Sequence, residues 1–229
     1  MTKNDPLALN AIALTKQVTS PEGSLTILED VSFDIERGRS VAICGPSGAG
    51  KSTLLALLAG LDRATSGEIW LDGTELGALD EDGRAALRAN RVGFVFQSFH
   101  LVPSLTALEN VMLPLELDES AEPRTRALDI LDSVGLASRT GHYPHQLSGG
   151  EKQRVAIARA FAGHPTVLFA DEPTGNLDSA TGDTIVDLLF ALNQQQQTTL
   201  VLVTHDETLA AKCDRRLRLA AGKLVGNES

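Results

Sequence analysis

Residues 40–52 read "SVAICGPSGAGKS", and this stretch decides the fold. An apolar strand runs into a glycine-rich turn, and a lysine and a serine then open a helical stretch. "GPSGAGKS" at 45–52 satisfies G-x-x-x-x-G-K-[ST] at every position, in the strand–turn–helix context where that motif carries chemistry. Gly45, Gly48 and Gly50 let the backbone wrap closely around an anion and turn successive N–H groups inward, at the positive end of the following helix. Pro46, Ser47, Ala49 and Thr53 complete the loop and its entry into the helix. Lys51 adds a point charge for β and γ phosphates, and Ser52 offers a hydroxyl to Mg²⁺. Residues 45–53 are therefore predicted to hold a nucleoside triphosphate.

Working outward, further apolar runs alternate with helical stretches: "VGFVF" at 92–96, "VLFAD" at 167–171 with a helix from Ser179, and "TLVLVTH" at 199–205. Runs that are continuously apolar predict an α/β fold whose parallel strands are covered on both faces. The first forty residues and "GEIWLDG" at 67–73 read as short strands with turns, a small antiparallel sheet beside the core. Between Phe99 and Gly163 helical segments follow one another with no strand, which predicts a helical insertion. "NQQQQ" at 193–197 reads as a short polar helix end.

Two strand ends carry groups that phosphate chemistry needs. Asp171 and Glu172 are adjacent, so one carboxylate can bind Mg²⁺ while its neighbour, facing another way, polarises a water; the structural alternative is a helix N-cap. His205 ends "VLVTH" and either donates to a γ-phosphate or caps the strand.

Composition narrows the role. The 229 residues are 42% hydrophobic, enough for an ordinary globular core. Net charge is −10, which repels nucleic-acid phosphate and argues against a nonspecific nucleic-acid partner. No apolar run approaches the roughly 18 residues of a membrane span, and the start "MTKNDP" has no secretory pattern, so a cytosolic chain is expected. Cys44 and Cys213 lie far apart without metal-ligand spacing and read as buried thiols.

"LSGGEKQR" at 147–154 opens another helix with a glycine pair, a second phosphate seat about a hundred residues after the first. Together with "GPSGAGKS", Gln97 after "GFVF", "VLFADEP", "GNLD" and "VTH", it makes the chain resemble the ATP-binding cassette (ABC) ATPases in motif order and spacing, over nearly its whole length. "LSGG" separates that family from other P-loop enzymes. The resemblance implies one ABC ATPase domain over 1–229. Its P-loop NTPase (RecA-like) parallel-sheet core and small antiparallel β subdomain would occupy about 1–97 and 164–229, and an α-helical signature subdomain about 98–163. It also implies ATP and Mg²⁺ as cofactors, with Glu172 as general base, and Lys51 and His205 countering γ-phosphate charge. Gln97 would sense Mg²⁺ or water, beside Ser52 and Asp171. The two seats are then explained by a head-to-tail homodimer: Ser148, Gly149 and Gly150 of one copy complete the site of the other, and Asp178 crosses to the partner. On their residues alone, Gln97 also reads as a plain strand-end polar group and Asp178 as an N-cap.

Within the family, "FVFQSFHLVPSLTALENV" and "FADEPTGNLDSATG" are similar to the lipoprotein-release (LolD-like) and macrolide-export (MacB-like) subunits, and "VGFVFQSF", "LFADEPTGNLD" and "CDRRLRL" to YbbA-type members. The resemblance implies a separate integral membrane permease, placing the chain on the cytoplasmic face of the inner membrane, with "FHLVPSLTALENVMLPL" as the floor of the dock. One position departs from the family pattern. Val18 stands where an aromatic usually stacks on adenine, so weaker adenine binding and poorer ATP-over-GTP selection are expected. A soluble ABC ATPase of DNA repair or chromosome organisation is the alternative, which the absence of long heptads, zinc-ligand cysteines and a basic patch disfavours.

Overall fold

The computed structural model describes residues 7–20, 23–118 and 121–228. The polar start at 1–6, and residues 21–22 of "LTKQVTSPEG", lie outside the described residues. In chain order the elements are β1 (Leu7–Ser20), β2 (Gly23–Glu36), β3 (Ser40–Cys44), α1 (Lys51–Leu58), β4 (Ser66–Leu71), β5 (Thr74–Glu75), α2 (Glu81–Arg91) and β6 (Val92–Phe96). Then follow α3 (Ala107–Leu117), α4 (Pro123–Ser133), α5 (Gly149–Ala162), β7 (Val167–Asp171), α6 (Ser179–Gln196), β8 (Thr199–Val203), α7 (Glu207–Ala210), β9 (Arg215–Ala220) and β10 (Lys223–Glu228).

Six strands form the central sheet in the order β10-β9-β3-β8-β7-β6, parallel throughout except for the β9–β10 hairpin. The continuous apolar runs have the predicted cause. Along β7, Val167 and Phe169 join one core with α1 and the antiparallel sheet, while Leu168 and Ala170 join a second core with α3, α4, α5 and α6. Phe169 is fully buried, the kind of side chain whose truncation costs about 3–5 kcal/mol.

The antiparallel sheet has the order β2-β1-β4-β5, but its first two strands are not short. β1 and β2 run 14 residues each. Register shifts along their pairing insert bulges that bend so long a ribbon, with Ala13 and Asp30 at positive φ. Two elements escaped the sequence reading although their signals were local. Helix α2 has Asp80 as its N-cap, accepting from Gly83 N, with acids in its first turn and arginines in its last. The β9–β10 hairpin turns at Ala221 and Gly222, both at positive φ as a type I′ turn requires.

Helix α6 reaches Gln196 and ends on Gln197 in the left-handed conformation, as the polar "NQQQQ" end suggested. Of the two cysteines only Cys44 is fully buried; Cys213, which follows the short α7, is half-buried and packs against the cluster of Ala42, Cys44 and Ala210. Burial pushes both thiols up, that of Cys213 to about 12, so neither is poised to react.

Candidate active site

The phosphate loop leaves the carboxyl end of β3, in the middle of the sheet, and runs into α1, where ligands of open α/β sheets are held. Its glycines are sterically required. Gly45 has φ 149° and a Cβ there would lie 2.0 Å from the Leu219 carbonyl oxygen. Gly50, at φ 99°, would bring a Cβ within 2.9 Å of Leu28 and 3.1 Å of the Ile27 carbonyl oxygen. Gly48 has open space but φ 78°. Lys51 Nζ donates to the carbonyls of Gly45 and Pro46 at 2.8 and 3.0 Å, so its charge is drawn across the mouth of the loop. Ala49 is buried beneath the loop, whereas Pro46, Ser47 and Ser52 are exposed and Thr53 half-buried.

Strand order brings the predicted acids beside this loop. Asp171 pairs with Val203 of β8 on one side and with Phe96 of β6 on the other, which puts Gln97 one residue beyond that register position. The Ser52 hydroxyl donates to Asp171. Partial burial raises the Asp171 carboxyl above the usual aspartate range, against that hydrogen bond. Ser52, Asp171 and Gln97 supply only oxygen ligands, the hard donor set that suits Mg²⁺ held largely by phosphate and water. No cluster of three or more acidic, histidine or cysteine side chains able to hold a metal by itself occurs among the described residues.

The raised carboxyl has a consequence for stability. A carboxyl whose folded pKa lies above its unfolded value contributes stability that is full below the unfolded pKa and lost as pH rises through the folded one. Above its folded pKa the metal-free protein has lost that contribution. Asp171→Asn, uncharged throughout, keeps it. Calorimetry without metal should show the variant melting higher than the parent above the raised pKa, and the gap closing on acidification.

Glu172 leaves the strand at φ 47°, its N–H bonded to the Val203 carbonyl at 2.9 Å, so its side chain points away from that of Asp171. Sequence reading treated Glu172 and His205 separately; the structure pairs them. His205 Nδ1 lies 2.7 Å from Glu172 Oε1. A carboxylate only accepts, so the proton belongs to Nδ1, and Nε2 can donate to phosphate only when the ring is protonated.

Gln97 lies on the loop after β6, and Asn176 on the loop after β7. Its Nε2 donates to Asn176 Oδ1 at 3.2 Å, and Asn176 Nδ2 donates to the Gln97 carbonyl at 2.9 Å. Asn176 had no role in the sequence reading, and nothing local signals a partnership across 79 residues.

The second seat is built as a capping box at the head of α5. Ser148 Oγ accepts from Glu151 N, while Glu151 Oε2 accepts from Ser148 N at 2.8 Å and Oε1 from Arg139 at 2.9 Å. Those bonds lower the Glu151 carboxyl to about 2. The Ser148 hydroxyl also hydrogen-bonds the Glu151 carboxylate, so the cap is closed from both sides. The seat's glycines are tightly backed, since a Cβ on Gly150 would lie 2.6 Å from Thr181 and one on Gly149 3.3 Å from Leu177. Ser148 is exposed, and among the described residues no hydrogen bond or ion pair joins residues 45–53 to 147–151. The two seats of one chain do not meet.

Asp178 is the N-cap of α6, with Oδ1 accepting from Thr181 N at 3.0 Å and Oδ2 from Thr181 Oγ1 at 2.7 Å. It is nevertheless exposed. Val18 is half-buried and pairs with Leu25 across the β1–β2 hairpin, remote from the phosphate loop in sequence. No helix among the described residues is long and apolar enough to cross a membrane.

These features recur in known proteins. The sequence pattern of the family described as ABC transporter matches residues 28–175. The ABC transporter ATP-binding protein YbbA of Escherichia coli K12 is 59% identical over 213 residues, covering 92% of this chain and 93% of that protein. The lipoprotein-releasing system ATP-binding protein LolD of Xanthomonas axonopodis pv. citri is 46% identical over 224 residues, covering 97% and 92%. The dimeric post-hydrolysis structure of the ATP-binding cassette MJ0796, bound to ADP and Pi, superposes with a TM-score of 0.89 at 42% identity, covering 96% of this chain and 98% of that one. With the phosphate loop, the paired strand-end acids and the glycine-headed helix after the exposed Ser148 on one α/β frame, the chain belongs to the ABC transporter family of ATP-binding, ATP-hydrolysing cassettes.

Proposed function

We propose that this cassette works as a head-to-tail homodimer beneath a separate membrane permease, in a system of export or envelope-release type. The observation that carries the reading is the position of Ser148, an exposed, capped helix head that makes no hydrogen bond to its own phosphate loop. Such a seat is useful only to a second copy. The dimeric MJ0796 cassette and the LolD proteins, named for a lipoprotein-releasing system, support the assembly and its class.

Each residue then has a definite task. The loop N–H groups and Lys51 hold β and γ phosphates, and the partner's glycine pair and Ser148 close on the γ-phosphate from the other side. Ser52, Asp171 and Gln97 would hold Mg²⁺, which neutralises charge developing between the β and γ oxygens. Glu172 takes a proton from the attacking water while His205, bonded to it, fixes its orientation. Asp178 approaches the partner's site. ADP lacks the γ-phosphate that both halves grip, so the pair separates after hydrolysis. Val18 offers adenine only an aliphatic contact, which weakens base recognition.

The helical stretch at about 98–163 is the subdomain that meets the permease. The dock we propose lies at the end of the segment singled out above and just beyond it, at Leu113, Pro114 and Leu117. Leu101 and Leu105 are half-buried, and Ala107, Leu108, Val111 and Leu115 are core. The open surface is a groove of about 290 Å³ whose walls include Phe94, Leu113, Pro114, Leu117 and Ala160, with Leu117 74% exposed. An apolar helical segment of the permease fits such a groove. Leu113→Glu with Leu117→Glu should abolish co-purification with a co-expressed permease of the lipoprotein-release type while nucleotide binding by the free chain persists. Undiminished co-purification would count against this dock.

A further inference from the structure

We infer that Asn176 is a positioning residue for the metal-dependent step: it dictates which end of the Gln97 amide faces the nucleotide. The inference rests on the reading of Gln97 given above and adds a residue that reading lacks.

Hydrogen-bond polarity constrains each atom of this pair in turn. A backbone carbonyl can only accept, so the Asn176 atom bonded to the Gln97 carbonyl at 2.9 Å must be Nδ2. That leaves Oδ1 as the Asn176 atom facing the Gln97 side chain, and Oδ1 can only accept. The Gln97 amide must therefore turn its Nε2 inward, at 3.2 Å, and its Oε1 away from the loop. Orientation matters because an amide oxygen ligates a cation and an amide NH₂ repels one. The two ends of a glutamine amide are almost the same shape, so sterics alone would not choose between them.

Gly175 makes the arrangement possible. A Cβ there would sit 2.7 Å from Gln97 Nε2 and 3.0 Å from its Cδ, too close for the amide to lie against the loop. Its φ lies outside the region reserved for glycine, so alanine at this position is conformationally allowed and acts only by displacing Gln97. The loop is also held from the opposite side. Gln153 of the signature helix is fully buried, and its Nε2 donates to the Pro173 carbonyl at 2.6 Å. The platform under Gln97 is thus anchored to the helix head that serves the partner's nucleotide.

Two variants separate loss of a hydrogen bond from steric displacement. In the Glu172→Gln background, chosen because it should retain ATP, Mn²⁺ binding to the ATP-loaded full chain is followed by electron paramagnetic resonance for Asn176→Ala and Gly175→Ala. Amide hydrogen exchange at 96–99 and 173–178 is measured without nucleotide. Both variants should weaken Mn²⁺ binding about fivefold, the weight of roughly one net hydrogen bond, and speed exchange in both segments, with the thermal midpoint little changed. Unaltered Mn²⁺ affinity in both variants would overturn the inference. Failure of the parent to dimerise with ATP, at normal Mn²⁺ affinity, would count against the homodimer reading instead and leave the Mn²⁺ comparison to decide the role of Asn176.

Discussion

Replacing Glu172 with glutamine is expected to slow ATP hydrolysis by a factor on the order of 10²–10⁴, the range a positioned general base supplies, while leaving ATP bound. The side chain sits on a residue at φ 47°, tied by its N–H to Val203 and by Oε1 to His205 at 2.7 Å. Glutamine keeps the length of the side chain and an oxygen able to accept from His205 Nδ1. What it loses is a site for the proton of the attacking water. The phosphate loop and Lys51 are untouched, so nucleotide affinity should hold, and the dimer should persist because nothing removes the γ-phosphate that joins its halves. Phosphate release and light scattering in ATP check the two arms. Turnover near the native rate would remove Glu172 from the role of base.

The second large effect comes from mixing two inactive proteins. Lys51→Ala removes the charge at the mouth of the phosphate loop, where Nζ reaches Gly45 and Pro46. Gly149→Asp places a carboxylate at the helix head that is to meet phosphate, and crowds Leu177, already 3.3 Å from an added Cβ. Each homodimer should be silent. In a mixed pair, one site combines both lesions and the other combines a native loop with a native seat. Equal mixing should restore roughly a quarter of native hydrolysis if pairing is random and sites turn over independently. Activity in either variant alone, or none in the mixture despite formation of mixed dimers, would contradict shared sites.

Much of this was legible because it is local. The phosphate loop announces itself in eight consecutive residues, since the positive φ of Gly48 and Gly50 is a property of those positions. Asp178 reads as a helix N-cap from its neighbours, and it is one. The strands of the parallel sheet are apolar on both faces because each face meets its own core. Where the reading fell short, the missing information was spatial. Whether a leucine of "FHLVPSLTALENVMLPL" is core or groove depends on which face of α3 meets α4 and α5, and that face covers Leu108, Val111 and Leu115 while leaving Leu113 to line the groove.

Sequence alone therefore determined the nucleotide loop, the α/β alternation and the existence of a second glycine seat, because consecutive residues dictate their own dihedrals, caps and periodicity. Only the tertiary structure decided that Glu172 holds His205, that Asn176 turns Gln97, and that the two seats of one chain stay apart. Those partnerships follow from the strand order β3-β8-β7-β6, which brings together groups 33 and 79 residues apart. No local preference encodes such an order; it is settled by which strands bury the most apolar surface against one another.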